Sequence, residues 1–230
     1  MWYLSENLSR QLEKLSRDLI AKNGWMDQFA IANKVMCQFH SELAKLNLGK
    51  PDVRKLRKEL VDTLIVMQHP INQLNISDAE LHDIGFSNYV VNGVDKPAKI
   101  GRTYCRVFGD ENYVPTKDLQ TELDIMAAKV MARQYEKRGI EQGTKFQIYR
   151  AMEELLELSI ELSKYIRIQD TTGSAGPENR MAIIDELYDV LFTIRYVMLA
   201  LNITRDELEE SVSQRIDEIY NREINCHSKL

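Results

Sequence analysis

Two groups of closely spaced carboxylates in the C-terminal half are the residues whose types and spacing could support chemistry. The first group is four glutamates whose spacing places them on adjoining positions of a helical surface: Glu153, Glu154, Glu157 and Glu161. The second group, Glu186 and Asp189, has its two members three residues apart in a later segment. If the two segments form antiparallel helices joined by a short connection, the two groups can face each other.

Carboxylates this close repel one another, by about 1–4 kcal/mol for each pair at effective dielectric constants of roughly 80 to 20. A hard divalent cation reverses that sign, and oxygen ligands without His or Cys favour Mg²⁺ or Mn²⁺ over zinc. Glutamate-rich helices are more often solvated surfaces, but Glu186 and Asp189 interrupt the otherwise apolar run AIIDELYDVLFTI. Acidic groups that near a core are rarely buried unless they are paired or bind metal, so the pattern predicts a metal site.

The amino-acid composition and the positions of the prolines predict that helices hold these carboxylates in place. The 230-residue chain has 10 glycines and 5 prolines, and 44% of its residues are hydrophobic, which favours a folded, helix-rich protein. We expect helices over residues 6–22, 27–46, 51–74 and 78–84, and again over residues 117–138, 144–167, 177–202 and 205–223. Pro51 and Pro177 suit the first turn of the third helix in each half. Pro70 should kink or stop the first of these two helices.

The two halves of the chain resemble each other. Glu59–Asp83 aligns without a gap to Glu186–Glu210, and the two stretches share an ExxD motif, an LNI tripeptide and a capping box. We therefore predict an all-α fold of two tandem four-helix repeats, residues 1–86 and 116–230, packed as an intrachain pseudo-dimer. Residues 87–115 are predicted to be a linker, in which YVVNG and TYCRVFG alternate enough for a short β-hairpin.

These motifs resemble those of a known family. Glu154-Leu-Leu-Glu157, followed after a helix–loop–helix interval by Glu186-Leu-Tyr-Asp189, resembles the ExxE…ExxD signature of the all-α nucleoside triphosphate pyrophosphohydrolases. This MazG-like superfamily includes dimeric dUTPases, dCTP pyrophosphatases and phosphoribosyl-ATP pyrophosphohydrolases. EELLEL, DELYDVLFTI and LNIT are similar to the MazG form in particular. The resemblance is good over residues 144–223 and weaker over residues 27–83.

The resemblance implies a set of site residues and a reaction. The implied Mg²⁺ ligands are Glu154, Glu157, Glu186 and Asp189, with Mn²⁺ as an alternative metal. The implied reaction cleaves the bond between the α- and β-phosphate of a (deoxy)nucleoside triphosphate, which gives the monophosphate and pyrophosphate and clears nucleotide pools. Glu154 or Glu157 would accept the proton of the attacking water. Glu153 and Glu161 are further acidic candidates for the site.

A triphosphate also needs cationic groups, because Mg²⁺ does not cover every phosphate oxygen. The candidate phosphate-binding residues are Lys164, Arg195, Arg215 and Arg222. The last two are loosely similar to the basic pattern of the family's final helix.

The first copy departs from the family pattern. When QFAIANKVM is aligned with KFQIYRAME, the residues that stand in place of Glu153, Glu154 and Glu157 are Met36, Cys37 and His40. Glu59 and Asp62 remain, so half of the ligand set is missing. We therefore expect a degenerate second site in this copy, which supplies scaffold and substrate contacts.

Charge and cysteine usage limit the other functional classes. A formal net charge of −5 gives no electrostatic reason to expect nucleic-acid binding. No stretch approaches the roughly 20 apolar residues that a membrane span requires, and the N-terminus does not resemble a signal peptide. Cys37, Cys105 and Cys226 are too few and too scattered for a disulfide framework, so we expect a cytoplasmic protein. The expected partner, a nucleotide substrate, is what the family resemblance implies.

Two alternatives to a general nucleotide pyrophosphohydrolase stay open at this point. The first is a relative specific for dUTP, dCTP or a phosphoribosyl nucleotide, because the base pocket cannot be identified from the sequence. The second is a non-catalytic helical interaction protein that retains the fold. The oligomeric state is open too, because an internal duplication could replace a homodimer or build a larger homo-oligomer.

Overall fold

The computed structural model describes residues 4–109 and 119–224, and helices dominate both stretches, as the composition predicts. The helices are α1 (Glu6–Asn23), α2 (Trp25–Asn47), α3 (Val53–Gln73), α4 (Asp78–Phe86), α5 (Lys99–Phe108), α6 (Leu119–Arg138), α7 (Ile140–Thr172), α8 (Pro177–Ala200) and α9 (Arg205–Ile219). A single π-helical turn, Tyr220–Ile224, continues α9. The strands β1 (Tyr89–Val91) and β2 (Val94–Lys96) form an antiparallel pair.

The described chain forms two compact units. The first unit contains residues 4–76 together with 203–224, so that α1, α2 and α3 pack with α9. Its core consists of leucines and aromatic residues with at most 1% of their surface exposed: Leu12, Leu15, Phe29, Phe39, Leu43, Leu56, Leu60, Leu64 and Leu208. The helices of this unit are therefore held together by the apolar faces that the helical periodicity predicts.

The second unit is the continuous stretch of residues 77–202. Within it α6, α7 and α8 pack together, while α4 and α5 contact each other and α4 contacts α8. A four-residue loop, 173–176, joins α7 to α8 and returns the chain antiparallel. The core is formed by apolar residues without exposed surface: Leu123, Met126, Ile148, Leu158, Leu162, Ile183, Leu187 and Leu191. This packing fixes which faces of α7 and α8 meet.

The compact units and the sequence repeats differ by one helix each. The fourth helix of the first repeat, α4, packs within the second unit, and the fourth helix of the second repeat, α9, packs within the first. The predicted division of the sequence into two repeats and a linker, at residues 1–86, 87–115 and 116–230, therefore has different boundaries from the two compact units. It stays a prediction about the sequence.

The second helices of the two repeats share one burial pattern. In α2 the buried positions include 28, 29, 32, 36, 39 and 43, and in α7 they include 147, 148, 151, 155, 158 and 162. The difference is constant, because 147 − 28 and 162 − 43 both equal 119. An ion pair repeats in the same register, Glu42 with Lys45 at 2.8 Å and Glu161 with Lys164 at 2.5 Å. The burial register of these two helices therefore differs by two residues from the alignment of QFAIANKVM with KFQIYRAME.

The segment between the repeats is more ordered than a linker. The β-hairpin turns at Asn92 and Gly93, whose φ angles of 51° and 74° suit a two-residue hairpin loop. TYCRVFG, however, does not form a strand: residues 103–108 lie in α5, where Ile100 and Tyr104, four residues apart, are buried on one helical face. Tertiary packing here overrides local β-propensity. The rest of this interval, residues 110–115, lies outside the described residues.

Pro70 does not stop α3, which continues to Gln73. The proline lies within the last turn of the helix, where few residues follow it. Its carbonyl still accepts a hydrogen bond from the N–H of Leu74 at 3.0 Å. The missing N–H therefore costs at most one hydrogen bond near a helix end.

Candidate metal centre and basic cleft

An acidic cluster lies where α7 faces α8 in the second unit. One carboxylate oxygen from each of Glu154, Glu157 and Glu186 can be chosen so that all three lie within 4.8 Å of one another. Glu154 is buried, with 3% of its surface exposed, while Glu157 is exposed and Glu186 is half-buried. The three-residue spacing on α7 and the antiparallel return of α8 produce this arrangement, as the sequence predicts.

The electrostatics of the cluster favour a bound cation. Burial raises the pKa of Glu154 to about 8, and the charge of Asp189 adds to the shift while Arg150 opposes it. Burial also raises the pKa of Glu186 to about 8, with Lys99 opposing and Asp189 adding. The Oε2 atom of Glu186 is buried and has no hydrogen-bond partner. A buried carboxylate oxygen without a donor is costly unless a proton or a cation reaches it.

Asp189 stands beside the cluster, but a lysine holds its carboxylate. The Lys99 ammonium is buried, with 2% of its surface exposed, and donates to the carboxylate of Asp189. It also donates to the carbonyl of Asp185 at 2.8 Å and pairs with the Asp185 carboxylate at 2.6 Å. The structure therefore brings three of the four implied metal ligands together and pairs the fourth, Asp189, with a cation.

Asp185, which the sequence analysis passed over, anchors the inter-repeat segment to α8. Its carboxylate accepts hydrogen bonds from the Tyr89 hydroxyl at 2.8 Å and from the Lys96 ammonium at 2.6 Å, in addition to its pair with Lys99. Burial alone would raise the pKa of Asp185, but the lysines and Tyr89 lower it below its ordinary value. One buried carboxylate therefore fixes β1, β2 and the start of α5 next to the acidic cluster.

A cleft of about 840 Å³ opens beside the cluster, within the second unit. Glu154 and Asp189 line one part of it, and Glu136 is the third acidic lining residue. The cationic lining residues are Lys99, Arg102, Arg106, Arg133, Lys137, Arg138 and Arg150. Seven cations against three carboxylates make the cleft strongly basic, although the whole chain is acidic.

Several of these cations already have partners. Arg150 donates to Glu153 and, at 2.5 Å, to Glu154. Arg133 pairs loosely with Glu136, at 3.5 Å. By contrast, Arg102, Arg106 and Lys137 form no ion pair with any residue that the structure describes. Within residues 4–109 and 119–224, these three cations of the cleft have no anionic partner.

A mostly buried amide adds a neutral polar group to the lining of the cleft. Gln147 has 3% of its surface exposed and lines the cleft. Beside it, the guanidinium of Arg138 lies over the Phe146 ring, 4.3 Å from the centroid. The lining therefore contains an amide as well as charged groups.

The predicted phosphate-binding residues lie elsewhere. Lys164 pairs with Glu161 on an exposed part of α7. Arg195 is buried, where it pairs with Asp124 at 2.6 Å and donates to the Leu191 carbonyl at 2.8 Å. None of these residues lines the basic cleft.

Arg215 and Arg222 belong to the first unit. Arg215 bonds to Asp62 there, at 2.6 Å, and Arg222 pairs with Glu223. Both arginines therefore have acidic partners within the first unit. The cations that do line the cleft come from α5 and α6 as well as α7, and no local spacing in the sequence marks them.

The first unit contains Glu59 and Asp62, the counterparts of Glu186 and Asp189 in the sequence alignment. Asp62, the counterpart of Asp189, pairs with Lys58 and Arg215, both at 2.6 Å. Glu59, the counterpart of Glu186, is buried. In the burial register, Val35 and Gln38, not Cys37 and His40, occupy the positions of Glu154 and Glu157. This unit lacks the first acidic pair in either alignment.

No single helix among the described residues has the length and apolar character needed to cross a bilayer. Comparison of the chain with protein-family models, with curated proteins and with solved structures finds no significant match.

Proposed function

We propose that the protein is a Mg²⁺-dependent nucleotide pyrophosphohydrolase, which splits the α–β phosphoanhydride of a nucleoside or deoxynucleoside triphosphate. One observation carries the proposal: an acidic cluster of Glu154, Glu157 and Glu186 lies at the edge of a basic cleft. The carboxylates of the acidic cluster suit a divalent cation, and the arginines and lysines of the basic cleft suit phosphate groups. A site for a metal-bound polyphosphate needs the acidic cluster and the basic cleft side by side.

The acidic cluster has the chemistry that a hard cation requires. Its donors are carboxylate oxygens alone, and the buried Oε2 of Glu186 has no hydrogen-bond partner that a cation would have to displace. Mg²⁺ bound here would polarise phosphate oxygens and lower the pKa of a bound water. Mn²⁺ fits the same donors.

Within the cluster, exposure separates two roles. Glu154 is buried and accepts a hydrogen bond from Arg150, which holds its carboxylate in place as a metal ligand. Glu157 is the exposed member, so water reaches it directly. We therefore assign to Glu157 the acceptance of the proton from the attacking water, a role that the sequence left open between these two glutamates.

We also propose that the two sequence repeats arose by duplication and that the first has lost its site. The matching capping boxes of Ser77 and Thr204 support the duplication, as does the left-handed backbone of Asn75 and Asn202, with φ of 49° and 51°. The shared burial register of α2 and α7 supports it as well. In this proposal the chain is an intrachain counterpart of a two-subunit MazG-like enzyme.

Pyrophosphate release from a panel of nucleotides tests the function. The panel contains the common ribo- and deoxynucleoside triphosphates, including dUTP and dCTP, and phosphoribosyl-ATP, each with Mg²⁺ and with EDTA. Glu157→Gln should lower turnover by at least about 100-fold, because it removes a general base. Glu178→Gln, an exposed glutamate on α8, is the matched control and should leave turnover unchanged. Folded wild-type protein that turns over no nucleotide would instead support a non-catalytic helical interaction protein.

A further inference from the structure

The inter-repeat helix α5 lies beside the acidic cluster and presents a row of cations to the cleft. Lys99, Arg102 and Arg106 occur at spacings of three and four residues, so they share one face of α5, and all three line the cleft. Lys99 fixes the start of this row at Asp185 and Asp189. Seven residues of helix span about 10 Å, so Arg106 lies well along the cleft from the acids.

The other walls of the cleft have the same polarity. On α7, Glu154 lies at the acidic end of the cleft. Arg150 and Gln147 lie on the same face, one and two turns towards the N-terminus of the helix. On α6, Lys137 lines the cleft as well. The cleft therefore passes from Glu154 and Asp189 at one end to a lining rich in arginine and lysine at the other, where Glu136 is the one acidic lining residue and pairs with Arg133.

We propose that Arg102 and Arg106, with Lys137, bind the terminal phosphates of the substrate, which leave as pyrophosphate. The proposal rests on the proposed function and extends it, because it assigns the two ends of the cleft to different parts of the substrate. The α-phosphate lies at the acidic cluster, and the β- and γ-phosphates extend towards α5 and α6. The Gln147 amide donates to the same anionic group.

Charge supports this orientation over the reverse one. Arg102, Arg106 and Lys137 have no anionic partner among the described residues, and a terminal diphosphate supplies the anionic oxygens that they lack. A neutral nucleoside at this end would leave these three cations uncompensated. The segment between the repeats is then a substrate-binding element, although the repeat pattern does not include it.

Calorimetric titration of the full chain with inorganic pyrophosphate in the presence of Mg²⁺ tests the proposal. Arg106→Gln and Arg102→Gln should each weaken pyrophosphate binding by about tenfold or more, since each removes a charge-assisted contact. Arg167→Gln, an exposed arginine on α7 outside the cleft, removes the same charge and should bind as the wild type does. Arg106 is exposed, so its replacement leaves the fold intact, and circular dichroism checks both variants.

The same variants should lower kcat/KM for an active nucleotide by a similar factor, while inhibition by the nucleoside monophosphate product stays unchanged. Wild-type affinity for pyrophosphate in both arginine variants would overturn the proposal, and so would a wild-type protein that binds no pyrophosphate. Arginine-dependent pyrophosphate binding by a protein that turns over no nucleotide would support this anion site and contradict the proposed function.

Discussion

Replacement of Glu186 by glutamine should remove about half of the loss of stability that the acidic cluster causes in the metal-free protein as the pH rises. Its pKa is raised from 4.5 to about 8, chiefly by burial, so the folded protein keeps a proton that the unfolded chain releases. The associated stability is complete below pH 4.5 and is lost as the pH rises towards 8. Each such proton gives a slope of about 1.4 kcal/mol per pH unit across this interval.

Glu154 shows the same shift, so the two carboxyls together contribute a slope that approaches about 2.7 kcal/mol per unit. Buried His69, whose pKa is lowered to about 4, contributes in the opposite direction below about pH 6.5 in wild type and variant alike. Glu186→Gln should therefore reduce the fall in stability by about 1.4 kcal/mol per unit and should make the metal-free variant more stable than the wild type at pH 8. Mg²⁺ should flatten the wild-type profile, because a bound cation replaces the protons, and should act much less on the variant.

Urea unfolding at pH 5.5, 6.5 and 7.5, in EDTA and in Mg²⁺, measures these slopes by circular dichroism. Glu178→Gln lies on the same helix but is exposed, and its profile should follow that of the wild type. Equal slopes for wild-type protein and Glu186→Gln in EDTA would refute the electrostatic reasoning. A wild-type profile that Mg²⁺ leaves unchanged would refute the metal site.

Three further predictions follow from other contacts. Asp185→Asn should destabilise the second unit by about 2–3 kcal/mol and speed amide exchange across β1, β2 and α5, because Lys96 and Tyr89 lose a charged acceptor and buried Lys99 keeps only Asp189 as an ion-pair partner. Unchanged exchange there would contradict the anchoring role. Glu59→Ala should retain most pyrophosphate release while Glu186→Ala abolishes it, and equal losses in folded variants would contradict the degenerate first site. Thr204→Ala should lower the free energy of unfolding by about 1 kcal/mol in thermal melts, since it removes the α9 cap; an unchanged melting temperature would show that the cap contributes nothing.

The helices and the acidic cluster could be predicted because both depend on local spacing. Capping residues mark where α4 and α9 begin, and three-residue intervals put Glu154 and Glu157 on one face. A short loop then suffices to bring Glu186 opposite them. Each step uses residues close together in the sequence.

The basic cleft could not be predicted, because its charges meet only in the folded chain. Lys99 lies about 90 residues before Asp189, and nothing in their separate surroundings indicates the ion pair. Arg102 and Arg106 lie in a segment whose residues favour strands. Local propensity therefore does not predict the helix that places the two arginines on one face. Arg195 and Arg215 are phosphate-binding candidates in the sequence, but they pair with Asp124 and Asp62, acids that only the tertiary structure brings near them.

The first unit consists of two segments that are distant in the sequence, and this affects the order in which the two units can fold during synthesis. The ribosome delivers α1, α2 and α3 first, but their partner α9 emerges only after residue 204. Residues 77–202 are complete before that point, so the second unit can mature during translation while the first exposes apolar surface. A stop codon shortly after Asn202 would therefore remove nothing from the second unit and would leave the N-terminal helices prone to aggregation.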